Sequence, residues 1–527
     1  MNYVIGSGLA GVSCAYALVN KGLDVTMLDM GLELEAERAR IVQELRASEP
    51  ETWREGVLNA LKENASLAGG GLPTKLAYGS DFAYRTTDSR IPVQAKGATI
   101  SASLARGGFS NVWGAAVLPY TSADISDWPI RVENLAPHYE AVLGFMQLAA
   151  QQDDLEAVFP LYSGAHHDLR PSRQAAALMK DLGASRAALR ARGVTFGYSR
   201  LAVRRCSPFA QAGCVYCGLC MYGCPYELIY NSATTLEELR ARGNFRYLSD
   251  VFVERVEESR GSVSVMVRST RSNERRTFRG SRAYIACGAL STTRLLLESL
   301  EAYDQSVIMR DSQYFVLPLF RFNGVSGVRE ERLHTLAQIF LEIEDRGLSD
   351  HTIHLQVYTY NDLYRAVMPG VVRKMLDRWE GASGAVLGRL LVVQGYLHSD
   401  DSATIGVRLA RDGERRTLFL EARTSRKTAR AIRGIVSKLT GCRRLTKALP
   451  LSPFMHIGAP GRGFHSGGTF PMRREPGKYE TDILGRPSGF RRVHVVDATI
   501  FPSIPATTIS LSVMANAHRI ACAHSEI

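Results

Sequence analysis

Tyr3-Val-Ile-Gly6-Ser-Gly8-Leu-Ala-Gly11, followed by a helical segment to about Lys21 and by Asp24-Val-Thr-Met-Leu-Asp29, is the stretch that decides the fold. An apolar run, a glycine-rich turn, a helix and a second apolar run ending in an acid make a βαβ unit of the dinucleotide-binding kind. Gly6 permits the tight turn, Gly8 lets the backbone approach a pyrophosphate at the helix N-terminus, and Gly11 allows the helix to lie close to the strand. Asp29 stands where a carboxylate meets ribose hydroxyls, at about the offset that separates this motif from a chance GxGxxG.

The chain has 527 residues and is 45% hydrophobic, enough to bury a large core and to form two intimately joined domains. Lys and Arg outnumber Asp and Glu by 64 to 52, and the resulting charge of +12 suits an anionic substrate, an acidic redox partner or a membrane surface. Its arginines are scattered, without a basic patch interleaved with aromatics, so no nucleic-acid partner is expected. No apolar run is long enough for a transmembrane helix. Because the first residues enter a strand at once, no signal peptide is expected, and the free thiols fit a reducing cytoplasm or a membrane surface reached through a partner.

Four thiols fall within eleven residues in Cys214-Val-Tyr-Cys217-Gly-Leu-Cys220-Met-Tyr-Gly-Cys224-Pro225, and Cys206 lies just upstream. This is the iron-sulfur run Cys-x2-Cys-x2-Cys-x3-Cys-Pro, in which one loop presents several thiolates to a compact centre. A structural zinc site usually needs two separated knuckles, and neighbours this close make strained disulfides. Either Cys224 completes the set with Cys214, Cys217 and Cys220, or Cys206 takes one of those places.

The rest of the chain divides by pattern. A charged helical insert over about 32–80 passes through Ala68-Gly69-Gly70-Gly71 and carries no chemical hint. Arg106-Gly107-Gly108-Phe-Ser110-Asn111-Val-Trp113-Gly114 suits a loop lying against a flat cofactor. A cap spans about 121–195, in which His166 and His167 read as solvated loop residues. Cys287 ends an apolar strand and is expected in the core. Strand-like segments from about 304 to 451 indicate an antiparallel sheet and hence a second domain. There His354, Gln356, Tyr358 and Tyr360 share one face by period-two alternation, and Gln394, Tyr396 and His398 form a second row. That face could equally line a polar cavity or meet solvent. The segment 363–379 reads as an amphipathic surface helix interrupted by Pro369.

Together, the glycine fingerprint, the Gly107-Gly108-x-Ser110-x-x-Trp113-Gly114 loop, His465-Ser-Gly-Gly468-Thr469 and Val496-Asp497-Ala-Thr499-Ile-Phe-Pro502 resemble the glucose-methanol-choline oxidoreductase family. The resemblance implies an α/β fold: a Rossmann-like FAD-binding domain from residues 1–303 and 452–527 around a substrate domain at 304–451, with the iron-sulfur loop at 206–225. It implies FAD contacts at Gly6, Gly8, Gly11, Asp29, Gly108, Ser110, Asn111, Val251, Asp497, Ala498 and Thr508, and catalytic roles for His465, as the base, and Thr508. Thr508 stands where the family usually has a second His or Asn. A helix starting there turns free N–H groups toward the charge a reduced flavin carries.

The cysteine segment is similar to one in long-chain alcohol oxidases and in the flavoprotein subunits of bacterial glucose and gluconate dehydrogenases. The extra thiols favour a [4Fe-4S] cluster. The expected function is therefore oxidation of a sugar, polyol or related hydroxyl compound, with electrons leaving through the cluster to a redox protein or quinone. A long-chain alcohol oxidase, a reductase acting on a carbonyl compound and a non-catalytic electron-transfer subunit are the alternatives.

Overall fold

The computed structural model describes residues 1–62, 74–85, 90–361, 363, 374 and 380–526. The Ala68 to Gly71 segment and nearly all of the 363–379 helix lie outside the described residues.

Five short strands form a wholly parallel sheet in the order Val493–Val495, Arg282–Ile285, Asn2–Ile5, Val25–Leu28, Phe245–Leu248. Asn2–Ile5 and Val25–Leu28 are buried along their whole length, as strands covered on both faces must be. The connecting helix Leu9–Asn20 is buried on nearly every side rather than amphipathic, because the last helix, Ile509–Cys522, packs along it. Both ends of the chain thus build one domain. An antiparallel three-stranded sheet, Val251–Ser259, Ser262–Ser269 and Arg275–Gly280, flanks it.

The second large sheet is antiparallel throughout, in the order Ala448–Pro450, Tyr314–Arg321, Leu390–Tyr396, Ile353–Tyr358, Ile339–Ile343, Val194–Tyr198. Its last strand comes from the end of the stretch read as a cap. Ile353, Leu355 and Val357 pack with Leu341 and Val393 against the helices Arg173–Ala184 and Arg426–Gly441. Each such fully buried side chain contributes about 1.5–3 kcal/mol. Alternation then turns His354, Gln356 and Tyr358 to the opposite face, toward the parallel-sheet domain. That face is buried rather than solvated: His354, Gln356, Tyr358 and Tyr396 are at most 6% exposed. Tyr360 leaves the row, since the strand stops at Tyr358 and its ring packs with Val328 and Leu387.

A third sheet, Ser466–Gly467, Ser306–Asp311, Thr404–Asp412, Arg415–Arg423 and Val93–Lys96, joins the domains. It positions His465, whose carbonyl accepts the Ser312 N–H at 2.9 Å while Asp311 accepts from the Ser466 hydroxyl at 2.8 Å. Burial pushes the Asp311 carboxyl up to about 6. His166 and His167 are not in a free loop but pair in parallel with Leu148 and Ala149.

Candidate active site and cysteine loop

The glycine turn opens on a cleft of about 1420 Å³, measured out to its open mouth. Gly6, at φ +100°, could not carry a side chain, because a Cβ would come 2.6 Å from the Ala286 carbonyl oxygen. A Cβ on Gly11 would fall 1.9 Å from the Gly6 oxygen, so this residue fixes how closely the helix lies to the turn. Gly8 precedes the helix without a side-chain cap, leaving the first amides turned to the cleft.

Gly6, Gly8, Asp29, Gly108, Ser110, Val251, Asp497 and Ala498 all line this cleft, with Ile509, Ser510 and Val513 from the start of the last helix. Asp29 accepts from the hydroxyls of Ser7 and Tyr247, at 2.5 and 3.0 Å, and burial raises its carboxyl to about 6 despite those bonds. Asp497 accepts from Gly288 N, Thr292 Oγ1 and Thr499 N, so it braces two turns of the cleft wall.

Three residues sit differently. Gly11 lies beneath the cleft, in the helix. Asn111 is directed into its own loop, donating to the Arg106 and Gly108 carbonyls and accepting from Asn231 at 2.7 Å, so it shapes the loop behind the cleft. Thr508 is buried at the foot of the last helix, and its hydroxyl oxygen accepts the Leu118 N–H at 2.7 Å. Cys287 is not core: the strand ends at Ile285, and the half-buried thiol lines the cleft, raised to about 12 by burial and the nearby Asp497 carboxylate.

His465 stands between Phe464 and Ser466, both of which line the cleft. Its ring stacks on Tyr396, centroids 4.8 Å apart, and its Nδ1 is buried without a hydrogen-bond partner. Burial, aided by the nearby His354, pulls the imidazole down to about 4, so it is the unprotonated base at neutral pH.

Behind Tyr396 lies a network that the sequence reading did not contain. Glu342 and His354, paired across neighbouring strands, meet at 2.7 Å between Oε1 and Nδ1, and both side chains are sealed from solvent. His354 Nε2 lies 3.1 Å from Gln356 Nε2, and Gln356 Oε1 accepts from the Tyr358 hydroxyl at 2.9 Å. Burial raises the Glu342 carboxyl, with His354 opposing, and its Oε2 has no partner. A single acid in a strand carries no pattern of its own. The only signal for Glu342 was the row of polar residues on the next strand.

The cysteine loop is clamped from both sides. The insert read as chemically silent is its cover: Leu45, Trp53, Val57, Leu61 and Tyr78 pack on Cys217, Leu219 and Tyr222. Arg332 donates to the Val215 carbonyl at 2.7 Å from the other side. Burial and mutual repulsion, chiefly from Cys220, raise the Cys214 thiol to about 12 and push Cys217 and Cys224 up as well. Backbone amides of Tyr226, Leu228 and Ile229 face the Cys224 sulfur and act against that rise. Cys206 is exposed, whereas the other four are half-buried.

Among the described residues, no three of these sulfurs lie within 4.8 Å of one another. One tetrahedral ion with bonds of about 2.3 Å holds sulfurs about 3.8 Å apart. Lys75, half-buried beside Cys220 and Cys224, donates to the Trp113 carbonyl at 2.8 Å and so ties this loop to the one bearing Gly108.

A parallel sheet whose glycine turn opens on a cleft, with a buried base beside it stacked on the antiparallel sheet, defines a nucleotide-cofactor oxidoreductase. Over residues 10–301, more than half its length, the chain matches the family model for GMC oxidoreductase, and it belongs to that family, whose members bind FAD. It is 26% identical over 312 residues to 6'''-hydroxyparomomycin C oxidase of Streptomyces lividus, covering 57% of this chain and 50% of that protein. The chain thus spans about half the length of the curated relative it matches. The crystal structure of pyridoxine 4-oxidase from Mesorbium loti shares the fold, with a TM-score of 0.60 and 15% identity, over 100% of this chain and 99% of that one. No helix among the described residues is long and apolar enough to cross a membrane.

Proposed function

We propose that the protein is a GMC-type dehydrogenase that oxidises a hydroxyl group of a sugar, polyol or sugar derivative and passes the electrons to an external redox protein or quinone. The observation that carries this reading is His465, an unprotonated imidazole with an unspent ring nitrogen, held beside the cleft by Tyr396 and Asp311. FAD would be held by the Gly6 to Gly11 turn, Asp29, the Gly108 to Ser110 loop, Val251, Asp497, Ala498 and the start of the last helix, and supplies a hydride acceptor when bound. His465 takes the hydroxyl proton as the substrate carbon gives up hydride and the C–O bond becomes a carbonyl. Thr508 can donate a hydrogen bond to the substrate oxygen but does not act as a second base. The buried polar wall of His354, Gln356, Tyr358 and Tyr396 suits a polar substrate better than a long alkyl chain. The relative's name likewise refers to a hydroxylated compound.

Cys214, Cys217, Cys220 and Cys224 would hold a [4Fe-4S] cluster, which supplies a one-electron exit. The spacing of the four thiols in one clamped loop supports this reading, and the exposure of Cys206 favours Cys224 as the fourth ligand. Anaerobic mixing with a panel of sugars, polyols and alcohols should bleach the flavin with a hydroxylated polar substrate. Anaerobically prepared protein should carry about four irons per chain. Zinc or no metal would sink the cluster, and fast reoxidation of the flavin by oxygen would make the protein an oxidase instead.

A further inference from the structure

Outside the cleft lining, three metal-ligating side chains meet where the helices Ala136–Met146 and Ile509–Cys522 pack together. His138 Nδ1 lies 2.9 Å from His518 Nδ1, and Cys522 Sγ lies 3.4 Å from the same nitrogen. All three donor atoms fall within 4.8 Å of one another. His518 and Cys522 are four residues apart and so share one face of the last helix.

We propose that His138, His518 and Cys522 form a binding site for a borderline divalent transition ion, of which Zn²⁺ is the type, stapling the end of the last helix to Ala136–Met146. Two imidazoles and a thiolate are the donor set such ions select. With bonds of about 2.0–2.1 Å to nitrogen and 2.3 Å to sulfur, tetrahedral ligands stand about 3.3 Å apart for two nitrogens and about 3.6 Å for nitrogen and sulfur. The observed separations of 2.9 and 3.4 Å need to open by only a few tenths of an ångström.

The two rings meet edge to edge, inclined at 51° with centroids 5.1 Å apart, so a modest turn of the half-buried His138 ring would direct both Nδ1 atoms to a shared ion. Burial, followed by neighbouring positive charge, pulls both histidines down to about 4, leaving them unprotonated at neutral pH as ligation requires. Lys21 donates to the Cys522 carbonyl; burial raises the Cys522 thiol, with the Lys21 charge opposing, and ion binding would release the thiol proton. His138 is half-buried, which leaves the fourth ligand position open to solvent.

A second group, His351, His398 and Asp400, fails the same test. Its rings stack at 3.5 Å and 16°, so their lone pairs run parallel, and His398 Nδ1 already accepts the Asp400 N–H at 3.1 Å.

The site is tested on the purified full chain, treated with chelator and titrated with Co²⁺ as the spectroscopic probe. One equivalent should give the visible bands of tetrahedral cobalt and a thiolate-to-metal charge-transfer band, both displaced by Zn²⁺. Cys522→Ser should abolish the charge-transfer band. His138→Asn, at a half-exposed position and so safe for folding, should weaken binding about tenfold or more. The cysteine-loop control Cys217→Ala should leave both signals unchanged. No tetrahedral cobalt, or signals that survive His138→Asn and vanish with Cys217→Ala, overturns the proposal and leaves a simple N–H···N bond between the two histidines. The outcome is independent of whether the flavin reacts.

Discussion

The two walls of the active-site region are built on opposite principles. The cofactor cleft is made of backbone and small side chains, and its carboxylates Asp29 and Asp497 spend their oxygens on neighbouring hydroxyls and amides. The facing wall, where the antiparallel sheet meets the strand end that carries His465, keeps groups unspent: Nδ1 of His465 and Oε2 of Glu342 are buried without a partner. A surface that only has to fit a flat, charged cofactor can spend its carboxylate oxygens in advance. A surface that must accept a proton during turnover cannot.

This contrast can be broken by separating loss of chemistry from loss of cofactor. His465→Ala should slow substrate-driven flavin reduction by about 10² to 10⁴-fold while flavin stays bound, read by anaerobic stopped-flow. A change of only a few-fold would remove His465 from the mechanism, and an empty protein would erase the distinction between the walls. The same measurement sharpens the role by pH. Because His465 is pulled down to about 4, the reduction rate should be flat near neutrality and fall as the pH drops through about 4, where the base takes up a proton.

Glu342→Ala leaves the sealed His354 Nδ1 without a partner, and an unsatisfied buried polar group costs about 1–3 kcal/mol. A lower midpoint of thermal unfolding, with flavin still bound in the folded fraction, is expected, and an unchanged midpoint would mean that the pair holds nothing together. On the other wall, Gly11→Ala forces a methyl into the Gly6 carbonyl, an overpacking of about 1–3 kcal/mol. Here the flavin itself should be released, as measured by flavin fluorescence after purification. Smallest is Asp29→Asn, which removes a charge while keeping partners for its bonds with Ser7 and Tyr247. Flavin affinity should fall roughly tenfold with little change in the reduction rate of the bound fraction.

Legibility in the sequence followed the range of the interaction. The βαβ unit, the Gly108 loop, the cysteine run and the histidine segment are short patterns; Gly6, Gly8, Asp29, Gly108 and Ser110 from the first two line one cleft, and Phe464 and Ser466 flank His465 there. The antiparallel sheet was readable from its runs of strands, and its polar row from period two. The readings that changed depend on distant partners. Cys287 follows an apolar strand and reads as core, yet the turn after Ile285 brings it to the cleft. The insert at 32–80 looks like a charged surface segment, and only its contacts with Cys217 and Leu219 reveal a cover for the thiols. Asn111 belongs to the expected loop, but its amide is consumed by the carbonyls that shape it.

By itself, the sequence determined the glycine turn, the spacing of the thiols and the order of the family's motifs, because backbone geometry and ligand spacing act over a few residues. Tertiary structure alone decided that Glu342 meets His354, that Tyr396 stacks on His465, that Cys206 stays outside while four thiols are enclosed, and that His138 reaches His518 and Cys522. Those outcomes rest on desolvation and on contacts between segments up to several hundred residues apart, and proton affinity and unspent valence arise only once such segments close around a group.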